Sequence, residues 1–198
     1  MNNLSASVAA DAYIHIRVII GIILGLSLSK LLTGVAGFIQ HPSRQRVYAI
    51  HMIWVGFAFV SVIHFWWFEF YLSTVERWTF GLYVFVILYA SLYYLLCALL
   101  FPDKMDDYIG YGEYFMSRRR WFFGVIAAIF MMDLADTAIK GFDRFSSFGV
   151  MYPARNFIYA GVALVAIFID NQRFQLAAAA LLLFFQILWI LRAFSTLG

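Results

Sequence analysis

Six long apolar segments constrain this chain more than any other feature. A helix needs about 20 mostly apolar residues to cross the hydrocarbon core of a bilayer. Hydrophobic residues make up 64% of the 198 residues and charged residues only 13%, whereas soluble proteins average about 25% charged residues. We therefore predict an all-α, polytopic membrane bundle of six transmembrane helices, forming one integral membrane domain over residues 1–198. The predicted spans are 13–39, 47–71, 78–101, 120–141, 152–170 and 173–195.

The basic residues between these spans predict a membrane orientation. Cytoplasmic loops carry an excess of Lys and Arg. The N-terminal side of the bundle holds Arg17, Arg77, Lys140, Arg144, Arg155 and Arg192. The opposite side holds Arg44, Arg46, Lys104, Arg118, Arg119, Arg120 and Arg173. The second set is larger by one residue, so we expect the N-terminus on the non-cytoplasmic side, in a bacterial inner membrane.

The first and fourth spans align at one fixed offset, which indicates a candidate 3+3 inverted repeat. The aligned pairs are Arg17 with Arg120, Gly21 with Gly124, and Lys30 with Asp133. The halves 13–101 and 120–195 would each contain three spans and so have opposite orientations. Such repeats occur in transporters, which place their site near the bilayer midplane between the repeats. A chance match between two apolar helices is the alternative.

Lys30 lies deep within the first span and raises the question of its partner. A charge inside the bilayer costs several kcal/mol unless it is paired or hydrated. Asp133 lies at a similar depth in the antiparallel fourth span, and Asp136 follows one turn later. We therefore predict that Lys30 forms an ion pair with one of these aspartates near mid-membrane. The alternatives are a lysine that reaches the headgroups on the far side and a purely structural ion pair.

Small residues recur every four positions along the first span. Residues at this spacing share one face of a helix. Such a stripe is typical of close helix packing, and the alternative is a narrow hydrophilic path lined by Ser29 and Thr33. The small residues are Gly21, Gly25, Ser29, Thr33 and Gly37.

Further polar residues fall at similar depth toward the N-terminal side. A helical bundle has few ways to bury many polar groups except by facing them inward together, so we predict a polar vestibule that narrows toward Lys30 and Asp133. Taken one at a time, His15, Arg17 and Glu69 could be ordinary interfacial groups. The polar residues are His15, Arg17, His64, Glu69, Asp133, Asp136, Thr137, Lys140, Arg155, Asn156 and Gln186.

This pattern favours a small transporter or channel that moves protons, a small ion or a polar solute through a charge-paired site. Buried carboxyl, amino and imidazole groups can change protonation state. No catalytic constellation such as HExxH is present, so an enzyme is not the favoured interpretation. The predicted transport residues are Lys30, Asp133, Asp136, His64, Ser29, Thr33 and Arg155.

Two alternative functions use the same residues differently. A redox protein could hold haem between His15 and His64, or a metal ion on these two together with Glu69 and Asp136, because imidazole and carboxylate suit several metals. A non-catalytic subunit of a larger membrane complex would use the polar groups for docking. We expect no cofactor. The expected partners are the lipid bilayer and a small ion or solute, with a homo-oligomer left open. A net charge of +3 does not suggest nucleic-acid binding.

Overall fold

The computed structural model of the chain describes residues 2–41, 47–75 and 77–193, and the regular structure in these ranges is helical. A 3₁₀ helix, Glu69–Thr74, directly continues the second α-helix. The α-helices are α1 Asn2–Gln40, α2 Ala49–Phe68, α3 Phe80–Ala98, α4 Tyr111–Ile139, α5 Phe142–Ser147, α6 Met151–Ala166 and α7 Gln172–Ala193.

Five helices in the described ranges are long and apolar enough to cross a membrane: Ala9–Gln40, Ala49–Thr74, Phe80–Ala98, Tyr111–Ile139 and Gln172–Arg192. Large apolar side chains cover their outer surface. Ile22 on α1 is 59% exposed and Phe184 on α7 is 56% exposed. An apolar surface of this kind fits contact with lipid rather than with water. The chain is therefore an all-helical protein compatible with a multi-pass membrane bundle.

Local sequence signals set several helix ends. The Thr79 hydroxyl accepts the backbone N–H of Leu82 at 3.2 Å, which caps the start of α3. The Asn171 side chain accepts the N–H of Arg173 at 2.8 Å and begins α7 in the same way. Gly149 has a φ of +65° between α5 and α6, a conformation that favours glycine.

The connection between α3 and α4 is shorter than the sequence pattern predicts. The predicted spans leave residues 102–119 as the connection between the third and fourth spans, whereas α4 already begins at Tyr111. The aromatic residues there explain the difference. Tyr111 and Phe115 are buried, and the Tyr111 ring lies 4.8 Å from both the Phe38 and His51 rings. Burial of these side chains stabilises two further helical turns.

The aromatic core lies where α2 meets α4. Trp54 is fully buried, and its ring makes edge contacts with Phe57, Phe122 and Phe123 at 5.2, 5.2 and 5.4 Å between centroids. Around this core, α1 packs mainly on α3, α4 mainly on α6, and α2 on α7. The ends of α2 and α4 meet through Lys140 and Glu69, and Tyr13 in the N-terminal part of α1 donates to the Phe70 carbonyl on the same side of the bundle at 3.4 Å.

Candidate functional site

Buried polar side chains gather where α2 ends, α4 ends and α6 begins, with one further residue from α7. Asp133, Asp136 and Lys140 share a face of α4 because they are three and seven residues apart. The predicted inward-facing cluster forms for most of its members. The buried polar residues at this end are His64, Glu69, Asp133, Asp136, Thr137, Lys140, Asn156 and Gln186.

Lys140 bridges two buried carboxylates. Its ammonium group donates to Asp136 Oδ2 at 2.5 Å and to Glu69 Oε1 at 2.9 Å, and none of the three side chains is more than 4% exposed. The other oxygen of each carboxylate, Glu69 Oε2 and Asp136 Oδ1, is buried and has no hydrogen-bond partner among the described residues. We call Glu69, Asp136 and Lys140 the lysine triad.

Neutral donors hold the third carboxylate, Asp133. Its Oδ2 atom accepts from the Tyr152 hydroxyl and from Asn156 Nδ2, both at 2.7 Å. Its Oδ1 atom accepts from the Tyr89 hydroxyl at 3.2 Å. The Arg155 guanidinium lies 4.0 Å from Oδ2. Asp133 is thus well hydrogen-bonded, and its nearest cation is only at the outer limit of an ion pair.

Arg155 fixes α6 against α7. Its guanidinium donates to Gln186 Oε1 at 2.7 Å and to Asn156 Oδ1 at 3.1 Å. The same group lies 5.0 Å from the Trp189 ring centroid and 5.2 Å from that of Tyr159, within the range of cation–π attraction. This geometry places the arginine charge at the edge of the cluster beside Asp133.

A small internal cavity adjoins Asp133. Its volume is about 10 Å³, roughly the room that one water molecule needs. The polar groups in its wall come from α2, α3, α4, α6 and α7, so it lies inside the bundle. These groups include Ser61, His64, Tyr89, Asp133, Arg155 and Gln186.

The predicted ion pair between Lys30 and Asp133 or Asp136 is wrong. Lys30 pairs instead with Asp103, which follows α3 and is 90% exposed. The ammonium lowers the pKa of the Asp103 carboxyl through a hydrogen bond and charge attraction. The lysine stem thus reaches the connection beyond α3, as the headgroup alternative described. Asp136 finds its cation four residues away on its own helix.

The small-residue stripe of α1 does not enclose a hydrophilic path. Ser29 and Thr33 are exposed on the outside of the bundle, so the path that they were predicted to line is not formed. One glycine of the stripe allows close packing instead, since a methyl group added at Gly21 would lie 3.1 Å from the Trp66 ring. Gly34, which is not part of the stripe, allows another close approach, because a methyl group there would overlap the Phe101 ring.

The structure does not bring the two candidate metal ligands into a metal site. His15 is exposed on α1, where its Nδ1 atom lies 3.3 Å from the Tyr83 hydroxyl. His64 lines the internal cavity. Glu69 and Asp136 share the Lys140 ammonium, whose charge would repel a metal cation. Within the described ranges, no three His, Cys, Asp or Glu side chains form a group that could hold a metal ion.

The hydroxyl donors of the site were missed by the sequence analysis. Tyr89 and Tyr152 contact Asp133, and Tyr152 also lies 2.5 Å from the Thr137 hydroxyl. The spacing of Tyr152 and Asn156, four residues apart on one helix face, is the signal that could have linked them. Tyr89 carries no comparable signal in a chain with 12 tyrosines.

Comparison with known proteins adds no assignment. No family model matches the chain, and no curated protein and no solved structure is significantly similar to it.

Proposed function

We propose that this protein moves protons, or a comparably small cation, across a membrane through the buried polar cluster. The observation that carries the proposal is an excess of buried carboxylates. Among the described residues, Glu69, Asp133 and Asp136 lie beside one buried cation, Lys140, and the partly buried Arg155. A third cation, Arg144, lies at the rim with its guanidinium 3.1 Å from the Tyr71 ring centroid.

A purely structural ion pair would leave fewer buried oxygens without a hydrogen-bond partner. Buried polar atoms in folded proteins nearly always have hydrogen-bond partners, and an unpaired buried acceptor costs about 1–3 kcal/mol. The lysine triad leaves two carboxylate oxygens without partners in the described part of the chain. A proton bound to one carboxyl group would remove a negative charge and turn an acceptor into a donor. An exchangeable proton is therefore the simplest ligand for the triad.

Hydroxyl groups lie between the lysine triad and the small cavity beside Asp133. The Thr137 and Tyr152 hydroxyls lie 2.5 Å apart, and Tyr152 donates to Asp133. Asp133 borders the cavity, which has room for about one water. In the proposed pathway, protons pass between the lysine triad and Asp133, and Arg155 offsets the charge of Asp133. Lys30, Ser29 and Thr33 have no part in it.

We propose that the membrane domain has six crossings, with α6 as the sixth span. The side chain of Asn156 near the start of α6 contacts Asp133, and the Ile167 carbonyl after its end accepts from Arg119 Nε at 3.2 Å. Fourteen residues separate Arg119 from Asp133 on α4, which corresponds to about 21 Å of helix. Helix α7 begins beside the end of α6, where Gln175 donates to the Ala166 carbonyl at 3.0 Å. We therefore propose that α6 carries the chain across the bundle between α4 and α7.

Six crossings would give the halves 13–101 and 120–195 opposite orientations, as a 3+3 inverted repeat requires. The helix packing does not support similar structures in the two halves. In the first half α1 packs mainly on α3, the third predicted span, whereas in the second half α4 packs mainly on α6, the fifth predicted span. We therefore propose opposite orientation without similar packing. The N-terminus outside a bacterial inner membrane also stays a proposal, and two of its supporting residues, Arg44 and Arg46, lie outside the described ranges.

Proton flux into liposomes tests the proposed function. Purified protein is reconstituted into vesicles that contain a pH-sensitive dye, and a potassium diffusion potential drives proton entry. We expect flux above that of empty vesicles, and we expect Asp133→Asn to abolish it. Asp107→Asn is the matched control, because Asp107 is an exposed aspartate in the α3–α4 connection. Flux no greater than that of empty vesicles, or equal flux in both variants, would overturn the proposal.

A further inference from the structure

The lysine triad is almost completely buried. None of its three side chains is more than 4% exposed, whereas a group that exchanges protons with water has to meet water at some stage. If the triad carries protons as proposed, part of this end of the bundle must therefore move. Helix α5 follows Lys140 in the chain after one glycine, which makes it the first element to consider.

On the side of the 3₁₀ helix, Arg144 of α5 lies close to the triad. Its guanidinium is 3.1 Å from the Tyr71 ring centroid and 5.4 Å from that of Phe68, within the range of cation–π attraction. The Lys140 ammonium lies 4.1 Å from the same Phe68 centroid. The two cations thus meet at one aromatic ring, with Lys140 buried and Arg144 partly exposed.

On the side of α6, aromatic residues of α5 and of its C-terminal end pack on Tyr152. The Phe145 and Phe148 rings lie 5.7 and 5.1 Å from the Tyr152 ring, measured between centroids. The Tyr152 hydroxyl in turn lies 2.5 Å from the buried Thr137 hydroxyl. Helix α5 therefore reaches from the 3₁₀ helix to α6, across the end of the polar cluster.

The attachment of α5 to the bundle is suited to movement. None of its six residues is buried, and segments with few buried side chains open locally at a low free energy. Glycines with positive φ flank the helix, Gly141 at +129° and Gly149 at +65°. Because glycine adopts either sign of φ readily, these two positions can absorb the backbone change that a hinge requires.

We propose that α5 is a hinged lid whose opening admits water to the lysine triad. Arg144 is the latch, since its guanidinium lies on the Tyr71 ring in the closed lid and leaves that ring when the lid opens. This inference rests on the proposed proton function, because it names the step that connects the triad with water. The competing route is the cavity of about 260 Å³ between α1 and α2, which Glu69 also lines.

Cysteine labelling tests the latch without reference to transport. In a Cys97→Ala background, Thr137→Cys places a thiol beneath α5, and its reaction with a small, water-soluble methanethiosulfonate reports access of water. We expect Arg144→Ala to raise the labelling rate by about tenfold, because it removes the cation–π contacts of the closed lid. Ser146→Ala is the matched control, since Ser146 is exposed on the same helix. Equal labelling rates in the two variants would contradict a latch at Arg144.

A reversible crosslink tests whether the lid must open for protons to pass. With Tyr71→Cys and Arg144→Cys in the same Cys97→Ala background, a bis-methanethiosulfonate reagent joins α5 to the 3₁₀ helix. Proton flux into liposomes should fall to that of empty vesicles after crosslinking and recover on reduction, while each single-cysteine variant treated alike keeps its flux.

The two experiments separate the lid from the proton function. Undiminished flux through the crosslinked protein would overturn the lid and leave the proton function, with water entering through the cavity between α1 and α2. Labelling that depends on Arg144, with no flux in any variant, would support the lid and overturn the proton function.

Discussion

Lys140 donates to Asp136, one turn earlier on the same helix, at a distance of 2.5 Å, and neither side chain is exposed. Surface pairs at this spacing contribute only a few tenths of a kcal/mol. Here Glu69 joins from the 3₁₀ helix that continues α2, so the lysine charge also connects α4 to that helix. Removal of one partner from such a buried group leaves an uncompensated charge, which costs far more than the pair itself contributes.

Lys140→Met should therefore destabilise the protein by about 3–5 kcal/mol, because it leaves two carboxylates together without a cation. Thermal unfolding in detergent measures the loss. The triple variant Lys140→Met, Asp136→Asn and Glu69→Gln should regain most of it, since the buried charges are then gone. A single Lys140→Met variant that unfolds at the wild-type temperature would show that the triad is not buried as described.

Arg155→Lys should lower the free energy of unfolding by about 1–3 kcal/mol despite its retained charge. A lysine ammonium cannot reproduce the planar fork that contacts Asn156 and Gln186 at once. Arg192→Lys serves as the control, because Arg192 is exposed near the end of α7. Equal unfolding curves for the two variants would contradict a clamp between α6 and α7.

Lys30→Met should leave both the melting temperature and the proton flux close to those of the wild type. Its partner Asp103 is almost fully exposed, and exposed ion pairs contribute little to stability. Asp103→Asn should behave in the same way. Loss of flux in Lys30→Met, with the fold intact, would return this lysine to the functional site and restore the original interpretation of the first span.

Most residues of the site could be predicted from helical periodicity and from their depth within the predicted spans. The spacing of Asp133, Asp136 and Lys140 places them on one face, and counting residues from the span ends brings Glu69 and Asn156 to the same level. Five of the six predicted spans coincide with helices in the described ranges that are long and apolar enough to cross a membrane, since long apolar runs have few alternatives. The predicted span at 152–170 is not among them, because α6 has 16 residues and ends at Ala166.

The partner of Lys30 could not be predicted in this way. Depth matching fixes a residue's height along a helix, but it does not fix the rotation of that helix or the path of a connecting loop. Asp103 lies in such a loop, and α1 packs mainly on α3 rather than on α4. The tyrosine donors were hidden for another reason. A tyrosine in a span is equally suited to the core and to a hydrogen bond, so sequence alone does not distinguish Tyr89 from its neighbours.

The central claim is that the lysine triad exchanges a proton with water. Infrared spectroscopy tests it most directly, because the C=O stretch of a protonated carboxyl group is distinct from the carboxylate bands and shifts in D₂O. We predict a deuterium-sensitive carboxyl band in the wild type that is lost in Asp136→Asn or in Glu69→Gln and kept in Asp107→Asn. The absence of such a band from the wild type across the pH range in which the protein stays folded would contradict the account.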